Sequence, residues 1–228
     1  MEIVGPQPLE ITVGNAGPVA ALLIRPATAR GCFVFAHGAG AGMAHSFMEA
    51  VAQGLAERGV ATLRYQFPYM EKGSKRPDPP AVAHAAVRAA AAEAGRRCAG
   101  LRLIAGGKSF GGRMTSQAQA AAPLAGVDGL AFFSFPLHPA GEPSDDRAKH
   151  FAEIQIPMLF LQGSRDKLAE LTLLEPVVKR LGPRAALHLV KDADHSFHVP
   201  ARSGRNDREV LDEILDAFAR WIDAIEPQ

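Results

Sequence analysis

This sequence has few cysteines, a net charge close to zero and no long apolar run, and each of these features argues against a class of protein. Cys32 and Cys98 are the only cysteines among 228 residues, too few for a disulfide framework, and they have no metal-ligand spacing. Both lie beside apolar, strand-like runs and are interpreted as inert buried thiols. The net charge of +1 provides no electrostatic attraction for nucleic acid or an anionic membrane surface. No apolar run approaches the ~20 residues of a membrane helix, and no apolar core follows the first ten residues. We therefore expect a cytoplasmic protein.

What the chain does have is an alternation of apolar runs and helical patterns. With 47% hydrophobic residues, 228 residues are enough for one sizeable core, so we expect a single domain over residues 1–228. The later apolar runs are nearly continuous, which is typical of parallel strands buried on both faces. The pattern predicts an α/β fold with a mostly parallel sheet and helices on both faces. The eight predicted strands are EITV, VAALLIRP, CFVFAHG, VATLRYQF, LRLIAGG, LAFFSFPL, PMLFLQG and ALHLVKD.

Helix ends are predicted from capping residues. Ser46 and Glu49 form a capping-box signature, and Gly59 follows as the residue after that helix. Pro80 marks the first turn of an alanine-rich helix, and Gly95 marks its end. A final helix is predicted from an apolar stripe that contains Val210, Leu211, Ile214, Leu215, Phe218, Trp221, Ile222 and Ile225.

The segment GKSFG, residues 107–111, matches the pattern G-x-S-x-G at the point where a strand meets a helix. In such an elbow the serine adopts a strained backbone conformation, and a Cβ at Gly107 or Gly111 would collide with the neighbouring strand or helix. Ser109 is therefore the candidate nucleophile. The alternative is a phosphate-binding turn that uses Lys108, but Arg102 stands where the P-loop pattern requires glycine.

A serine hydroxyl needs a histidine to accept its proton and a carboxylate to orient that histidine. Asp166 follows one predicted strand and His195 follows the next, in the order serine, acid, histidine. Asp166 could instead cap a helix. His195 and His198, with Asp192 and Asp194 nearby, could instead be the ligands of a metal ion. His198 is otherwise interpreted as a structural histidine or one at the edge of the pocket.

Two further groups of residues are assigned to the site. The oxyanion hole is predicted to use the N–H of Phe110 and a second N–H from the glycine-rich turn FAHGAGAGM, from Ala39 or alternatively Gly40. Arg64 and Arg113 could bind a substrate carboxylate or phosphate. Their alternative roles are structural, with Arg64 holding the following loop and Arg113 pairing with a carboxylate.

Residues 137–156, which follow the sixth predicted strand, form a connection of only about twenty residues. We therefore expect no large cap domain, and a site that is open or covered only by the loop YMEKGSKRPDPP.

The motifs HGAGAGM, RYQFPYMEKGSKRPDPP and GGKSFGGRM resemble the dienelactone-hydrolase-like branch of the α/β-hydrolase superfamily. That branch includes the domain of the NSL chromatin-complex subunit 3 and its testis-expressed relatives. The resemblance implies an eight-stranded, mostly parallel sheet, with Ser109, Asp166 and His195 at the triad positions. Dienelactone hydrolases have a cysteine nucleophile, and this chain departs from them in having serine.

Two hypotheses for the function follow. The first is a serine hydrolase that cleaves a small-molecule ester or thioester, with no cofactor, no metal, and neither nucleic acid nor membrane as a partner. The second is a non-catalytic interaction module on the same fold, in which the triad is vestigial.

Overall fold

The strands of the structure follow the eight apolar runs of the sequence. The computed structural model describes residues 5–225. All eight predicted strands are confirmed. They are β1 (Gln7–Val13), β2 (Gly17–Ile24), β3 (Gly31–Ala36), β4 (Val60–Tyr65), β5 (Arg102–Lys108), β6 (Gly129–Phe133), β7 (Met158–Gly163) and β8 (Ala185–Val190).

The strands form one sheet in the order β1-β2-β4-β3-β5-β6-β7-β8. The pairings of β1 with β2 and of β2 with β4 are antiparallel. Every pairing from β4 to β8 across the sheet is parallel. The mostly parallel sheet is therefore confirmed, and the carboxyl ends of β3 to β8 meet at one edge, where ligands bind in open α/β folds.

Within residues 5–225, six α-helices cover the two faces of this sheet. They are α1 (Ser46–Glu57), α2 (Pro68–Glu71), α3 (Pro80–Arg97), α4 (Phe110–Ala121), α5 (Leu171–Leu181) and α6 (Asp207–Ala224).

Strand β3 contributes apolar side chains to both faces of the sheet, because successive side chains of a strand point to opposite faces. Phe33 and Phe35 pack with residues of α1 and α6, whereas Cys32 and Val34 pack with residues of α3 and α4. Cys32 and Cys98 are free and buried in this second cluster, as predicted.

Capping at the start of α1 differs from the prediction. The N-cap is His45, whose Nδ1 accepts a hydrogen bond from the Phe47 N–H at 3.2 Å, and Ser46 is already helical. The capping box predicted at Ser46 is therefore wrong. A true capping box begins α6, where Asn206 and Glu209 bond to each other's backbone N–H groups.

Gly59 has the positive φ of 70° that favours glycine after a helix, as predicted. The predicted end of α3 at Gly95 is wrong, because the helix continues to Arg97. Arg97 pairs with Glu93 at 2.5 Å, and basic side chains at a helix C-terminus are favourable.

The connection between β6 and β7 contains only a 3₁₀ segment, Asp146–Glu153. No large cap domain is present in residues 5–225, as expected. Over the same residues, no helix is long and apolar enough to span a membrane.

Candidate active site

Ser109 lies at the elbow between β5 and α4, with φ of 50° and ψ of −114°. These angles lie outside the regions that a residue with a Cβ prefers. A Cβ at Gly107 or Gly111 would approach the Ala36 carbonyl oxygen to 2.5 Å, so β5 and α4 can approach β3 closely only if both residues are glycine. The sequence interpretation of these two glycines is confirmed. The elbow presents the hydroxyl of Ser109 at the carboxyl edge of the sheet.

Three side chains from separate loops form a hydrogen-bonded chain at this edge. The distance from Ser109 Oγ to His195 Nε2 is 2.9 Å, and His195 Nδ1 lies 2.7 Å from Asp166 Oδ2. A carboxylate can only accept, so Nδ1 carries the proton and Nε2 is free to accept from the serine hydroxyl. The three residues suggested by sequence order are therefore brought together in the arrangement of a Ser-His-Asp triad.

Asp166 is held by its surroundings, which fixes the direction of its carboxylate. The residue is 3% exposed. Its Oδ1 accepts from the Leu168 N–H at 2.8 Å, and its Oδ2 also accepts from Gln162 Nε2. The Gln162 side chain is itself oriented, because its Oε1 accepts from the Phe135 N–H at 2.9 Å. The carboxylate is therefore aimed at His195 before any substrate arrives.

The other two candidate aspartates serve the loop that carries His195. Asp194 Oδ1 accepts from the N–H groups of Ser196 at 2.8 Å and His198 at 3.0 Å. Asp192 adopts a positive φ of 62°, and its N–H donates to the Ser164 hydroxyl. Neither carboxylate bonds to the imidazole of His195 in the described part of the chain.

His198 points to a different partner. Its Nδ1 lies 2.9 Å from an oxygen of Asp207, and this hydrogen bond raises the pKa of His198. Within residues 5–225, no three metal-ligating side chains form a cluster, so the alternative metal interpretation of this segment has no geometric support.

Lys108, which the sequence analysis considered only for a phosphate-binding turn, lies in the site for a different reason. Its ammonium donates to the backbone carbonyl oxygen of His195 and lies over the rings of Phe47 and Phe197, at 5.8 and 5.5 Å from their centroids. Burial lowers its pKa to about 8, opposed by the nearby carboxylates of Asp166 and Asp194. The residue before the nucleophile thus connects the end of β5 to the histidine loop.

Two backbone N–H groups border the nucleophile. Phe110 is the first residue of α4, so its N–H has no partner within the helix. The N–H of Ala39 makes no backbone hydrogen bond in residues 5–225. Ala39 lines the cleft with Ser109, whereas Gly40, whose φ is 75°, does not. This placement favours Ala39 over Gly40 as the second oxyanion donor.

His37 holds this glycine-rich turn in place. Its Nδ1 donates to the Gly38 carbonyl oxygen at 2.8 Å, and its Nε2 accepts from the Phe67 N–H at 3.1 Å. The ring is fully buried, and burial lowers the pKa of His37 to about 4. At neutral pH the imidazole is therefore uncharged, as this pair of hydrogen bonds requires.

The two arginines assigned to substrate binding occupy different environments. Arg64 is 1% exposed, and its Nη1 donates to the Met43 carbonyl oxygen at 3.1 Å. It supports the loop that precedes α1, and it does not line the cleft at Ser109. Arg113 is half-buried, and its guanidinium lies over the Phe110 ring, 5.9 Å from the centroid. It makes no ion pair in the described part of the chain, so the carboxylate pairing considered for it is not found.

The cleft at Ser109 has a volume of about 480 Å³. Its apolar wall comes from Phe47, Met48 and Leu168, and Ala39, Lys108 and His195 also line it. No residue of the loop 69–80 is among its lining residues. A larger groove of about 580 Å³ between α1 and α6 contains none of the three triad side chains.

This sheet order, with a serine elbow after β5 and its partners after β7 and β8, defines the α/β-hydrolase class of fold. The model of a protein family, the alpha/beta hydrolase domain, matches residues 29–223 of the chain. The chain therefore belongs to the α/β-hydrolase family.

Several solved structures share this fold. A dienelactone hydrolase from Anabaena variabilis superposes with a TM-score of 0.79 at 20% identity, over 98% of this chain and 100% of that one. An α/β serine hydrolase without a lid from Xanthomonas campestris gives 0.74 at 19% identity, over 98% of each chain. An esterase from Pyrococcus furiosus gives 0.73 at 16% identity, over 95% of this chain and 93% of that one. The dienelactone-hydrolase-like fold expected from the motifs is confirmed.

Proposed function

We propose that this protein is a serine hydrolase that cleaves a small ester or thioester, with Ser109, His195 and Asp166 as its triad. The observation that carries the proposal is the continuous hydrogen-bonded chain from Asp166 Oδ2 through the imidazole of His195 to Ser109 Oγ. Each side chain comes from a different loop, and packing places all three at one edge of the sheet.

The reaction proceeds through an acyl-enzyme. His195 Nε2 takes the hydroxyl proton as Ser109 Oγ bonds to the carbonyl carbon, and the carbonyl oxygen becomes an oxyanion. The N–H groups of Ala39 and Phe110 stabilise this charge. When the intermediate collapses, the bond to the leaving oxygen or sulfur breaks, and His195 returns its proton to that atom. Water then attacks the acyl group by the same route and restores the free hydroxyl.

The competing hypothesis is a non-catalytic module on the same fold. A left-handed backbone at Ser109 costs about 1–3 kcal/mol, and burying the Asp166 carboxylate carries a desolvation penalty. A surface used only for binding proteins has no need of either cost. The strained serine and the buried, aimed carboxylate therefore favour the enzyme.

The direct test is labelling of the folded protein with a fluorophosphonate probe. We expect the adduct on Ser109, at no other serine, and its loss in Ser109→Ala with the thermal stability retained. An adduct at another residue, or none on folded protein, would overturn the proposal. The non-catalytic hypothesis predicts no adduct.

The same proposal covers the domain organisation, the location and the partners of the protein. The chain acts as one domain over residues 1–228, in the cytoplasm, on a small-molecule ester, without nucleic acid or membrane as a partner. The proposed kinship with the NSL chromatin-complex subunit 3 and its testis-expressed relatives rests on the motifs HGAGAGM, RYQFPYMEKGSKRPDPP and GGKSFGGRM.

A further inference from the structure

A group of basic side chains lies beside the nucleophile elbow, on the face of the sheet that α3 and α4 cover. Arg113 stands one helical turn after Ser109 on α4, and its N–H donates to the Ser109 carbonyl oxygen at 3.1 Å. Arg147 and His150 lie on the 3₁₀ segment Asp146–Glu153, which packs against α4. His84 approaches from α3, with its Nε2 3.4 Å from Gln117 Oε1.

Arg113 is the unusual member of this group. A guanidinium carries five N–H donors, yet the side chain of Arg113 makes no hydrogen bond and no ion pair within residues 5–225. Its Nε is buried without a partner, and its one contact with a defined geometry is the face of the Phe110 ring. Buried polar groups in proteins are almost always hydrogen-bonded. Stacking on the ring places the guanidinium but leaves its Nε–H unsatisfied.

The neighbours of Arg113 do not supply a negative charge. Its pKa is lowered by burial and then by the charge of Arg147. Arg147 makes one long hydrogen bond, from Nη1 to the Pro136 carbonyl oxygen at 3.4 Å. Burial lowers the pKa of Arg147, and Glu142 opposes that shift without forming an ion pair. Two half-buried guanidinium groups thus lie close together with no carboxylate paired to either in the described part of the chain.

His150 completes the group. Its Nε2 lies 2.8 Å from Ser116 Oγ, and that hydroxyl donates to the Arg113 carbonyl oxygen at 2.9 Å. Nε2 therefore carries the proton and donates to Ser116. Burial, together with the charges of Arg113 and His84, lowers the pKa of His150 to about 4. The charges of Arg113 and His84 thus add to burial in disfavouring a further positive charge at this position.

We infer that Arg113 and Arg147 form a subsite for an anionic group of the substrate, a carboxylate or a phosphate. This inference rests on the proposed function and adds a substrate class to it. Four residues of α-helix rise about 6 Å, so the subsite lies within reach of a substrate that is bound to Ser109. Neither arginine lines the 480 Å³ cleft. A substrate attached at Ser109 therefore places one arm in the cleft and its anionic arm at the two arginines.

Binding is tested first without catalysis, in the Ser109→Ala protein. Inorganic phosphate and glutarate are titrated while the melting temperature is recorded. At least one anion is expected to raise the melting temperature in Ser109→Ala, and the rise is expected to disappear when Arg113→Met is added. Arg220→Met is the matched control, because Arg220 is exposed on α6 and is expected to leave the rise intact. No stabilisation by either anion, or a rise that Arg113→Met leaves intact, would overturn the inference, even if Ser109 were labelled as proposed.

Kinetics then identify the anion and the arm that carries it. p-Nitrophenyl butyrate is compared with its acyl-carboxylate analogue, p-nitrophenyl hemiglutarate, while 4-acetoxybenzoate and 4-acetoxyphenyl phosphate carry the charge on the leaving group. For at least one charged ester, the ratio of its kcat/KM to that of the neutral ester is expected to fall about tenfold or more in Arg113→Met and in Arg147→Met. The fall is expected mainly through KM. Unaltered ratios for all three charged esters would return both arginines to a structural role. If no ester is hydrolysed at all, the proposed function fails, and the binding experiment alone decides the subsite.

Discussion

Replacing Asp166 by Asn is the sharpest perturbation of the proposed triad. The carboxylate accepts three hydrogen bonds, from His195 Nδ1, Gln162 Nε2 and the Leu168 N–H. Asparagine offers one oxygen and one NH₂ group in the same space. If the oxygen faces His195, the NH₂ group opposes the Leu168 N–H. If the NH₂ group faces His195, the imidazole must carry its proton on Nε2, where it can no longer accept from Ser109.

The size of the effect follows from the buried charge. In either orientation the imidazolium that forms in the transition state loses its carboxylate. Removing one partner of a buried pair costs about 3–5 kcal/mol, which is on the order of 10²–10⁴ in rate. The same substitution in a well-studied protease triad costs about 10⁴. When the NH₂ group faces His195, the imidazole also carries its proton on the wrong nitrogen. We therefore expect kcat to fall by about 10³–10⁴-fold.

The assay is hydrolysis of one activated ester by three variants. Asp192→Asn and Asp194→Asn are the matched controls. The backbone N–H of residue 192 can still donate to the Ser164 hydroxyl, and an asparagine oxygen at position 194 can still accept from the Ser196 and His198 N–H groups. Each control is expected to lose less than about tenfold, and all three proteins should retain their near-ultraviolet circular dichroism. The assignment of the acid is refuted if Asp166→Asn stays within tenfold of the wild type, or if Asp192 or Asp194 proves the more sensitive position.

Three further predictions concern the cleft, the oxyanion turn and the elbow. Because the cleft holds about 480 Å³ without a cap, acetyl to butyryl esters should exceed decanoyl esters by about tenfold in kcat/KM; a preference for decanoyl would contradict this. The pKa of His37 falls from 6.5 to about 4 on folding, so between these values the unfolded state binds more protons and stability decreases as pH falls. His37→Gln should remove about 1.4 kcal/mol per pH unit from that slope in urea unfolding measured from pH 7 to 4; an unchanged slope would show that His37 does not carry it. A Cβ at Gly106 would lie 1.8 Å from the Ala131 carbonyl oxygen, so Gly106→Ala should cost more than about 4 kcal/mol. Gly95→Ala in α3, where a Cβ meets only ordinary contacts, should gain about 0.5–1 kcal/mol, and equal effects of the two substitutions on denaturant midpoints would refute the steric argument.

Features that depend on neighbouring residues were predictable from the sequence. Each strand is a contiguous apolar run, so all eight could be recognised without knowing their partners. The elbow was equally accessible, since Gly107, Ser109 and Gly111 lie within five residues, at the point where a strand pattern meets a helix pattern. The choice of Asp166 and His195 as candidates used chain order and the rule that parallel strands end at one edge.

Helix ends were less predictable because one residue type can serve several purposes. Ser46 and Glu49 match a capping box, yet His45 caps α1 with its ring nitrogen. Gly95 reads as a terminator, but α3 continues to Arg97, where Glu93 pairs with the last turn. A glycine within a helix is less favourable than alanine by only about 1 kcal/mol, so a few tertiary contacts are enough to continue the helix past it.

The sequence by itself determined the sheet, the strained serine and the order of its candidate partners, because these follow from local spacing. Only the tertiary structure decided what each polar side chain touches. Lys108 is distant in sequence from the His195 carbonyl oxygen that it contacts. The sequence left Arg64 with either a substrate-binding or a structural role, and in the structure it is buried and donates to the Met43 carbonyl oxygen. Arg113 and Arg147 come from separate segments, and no local pattern relates them. A hydrogen bond or a pair of like charges forms between groups that packing brings within a few ångströms of each other. The separation of two residues along the chain does not predict that distance.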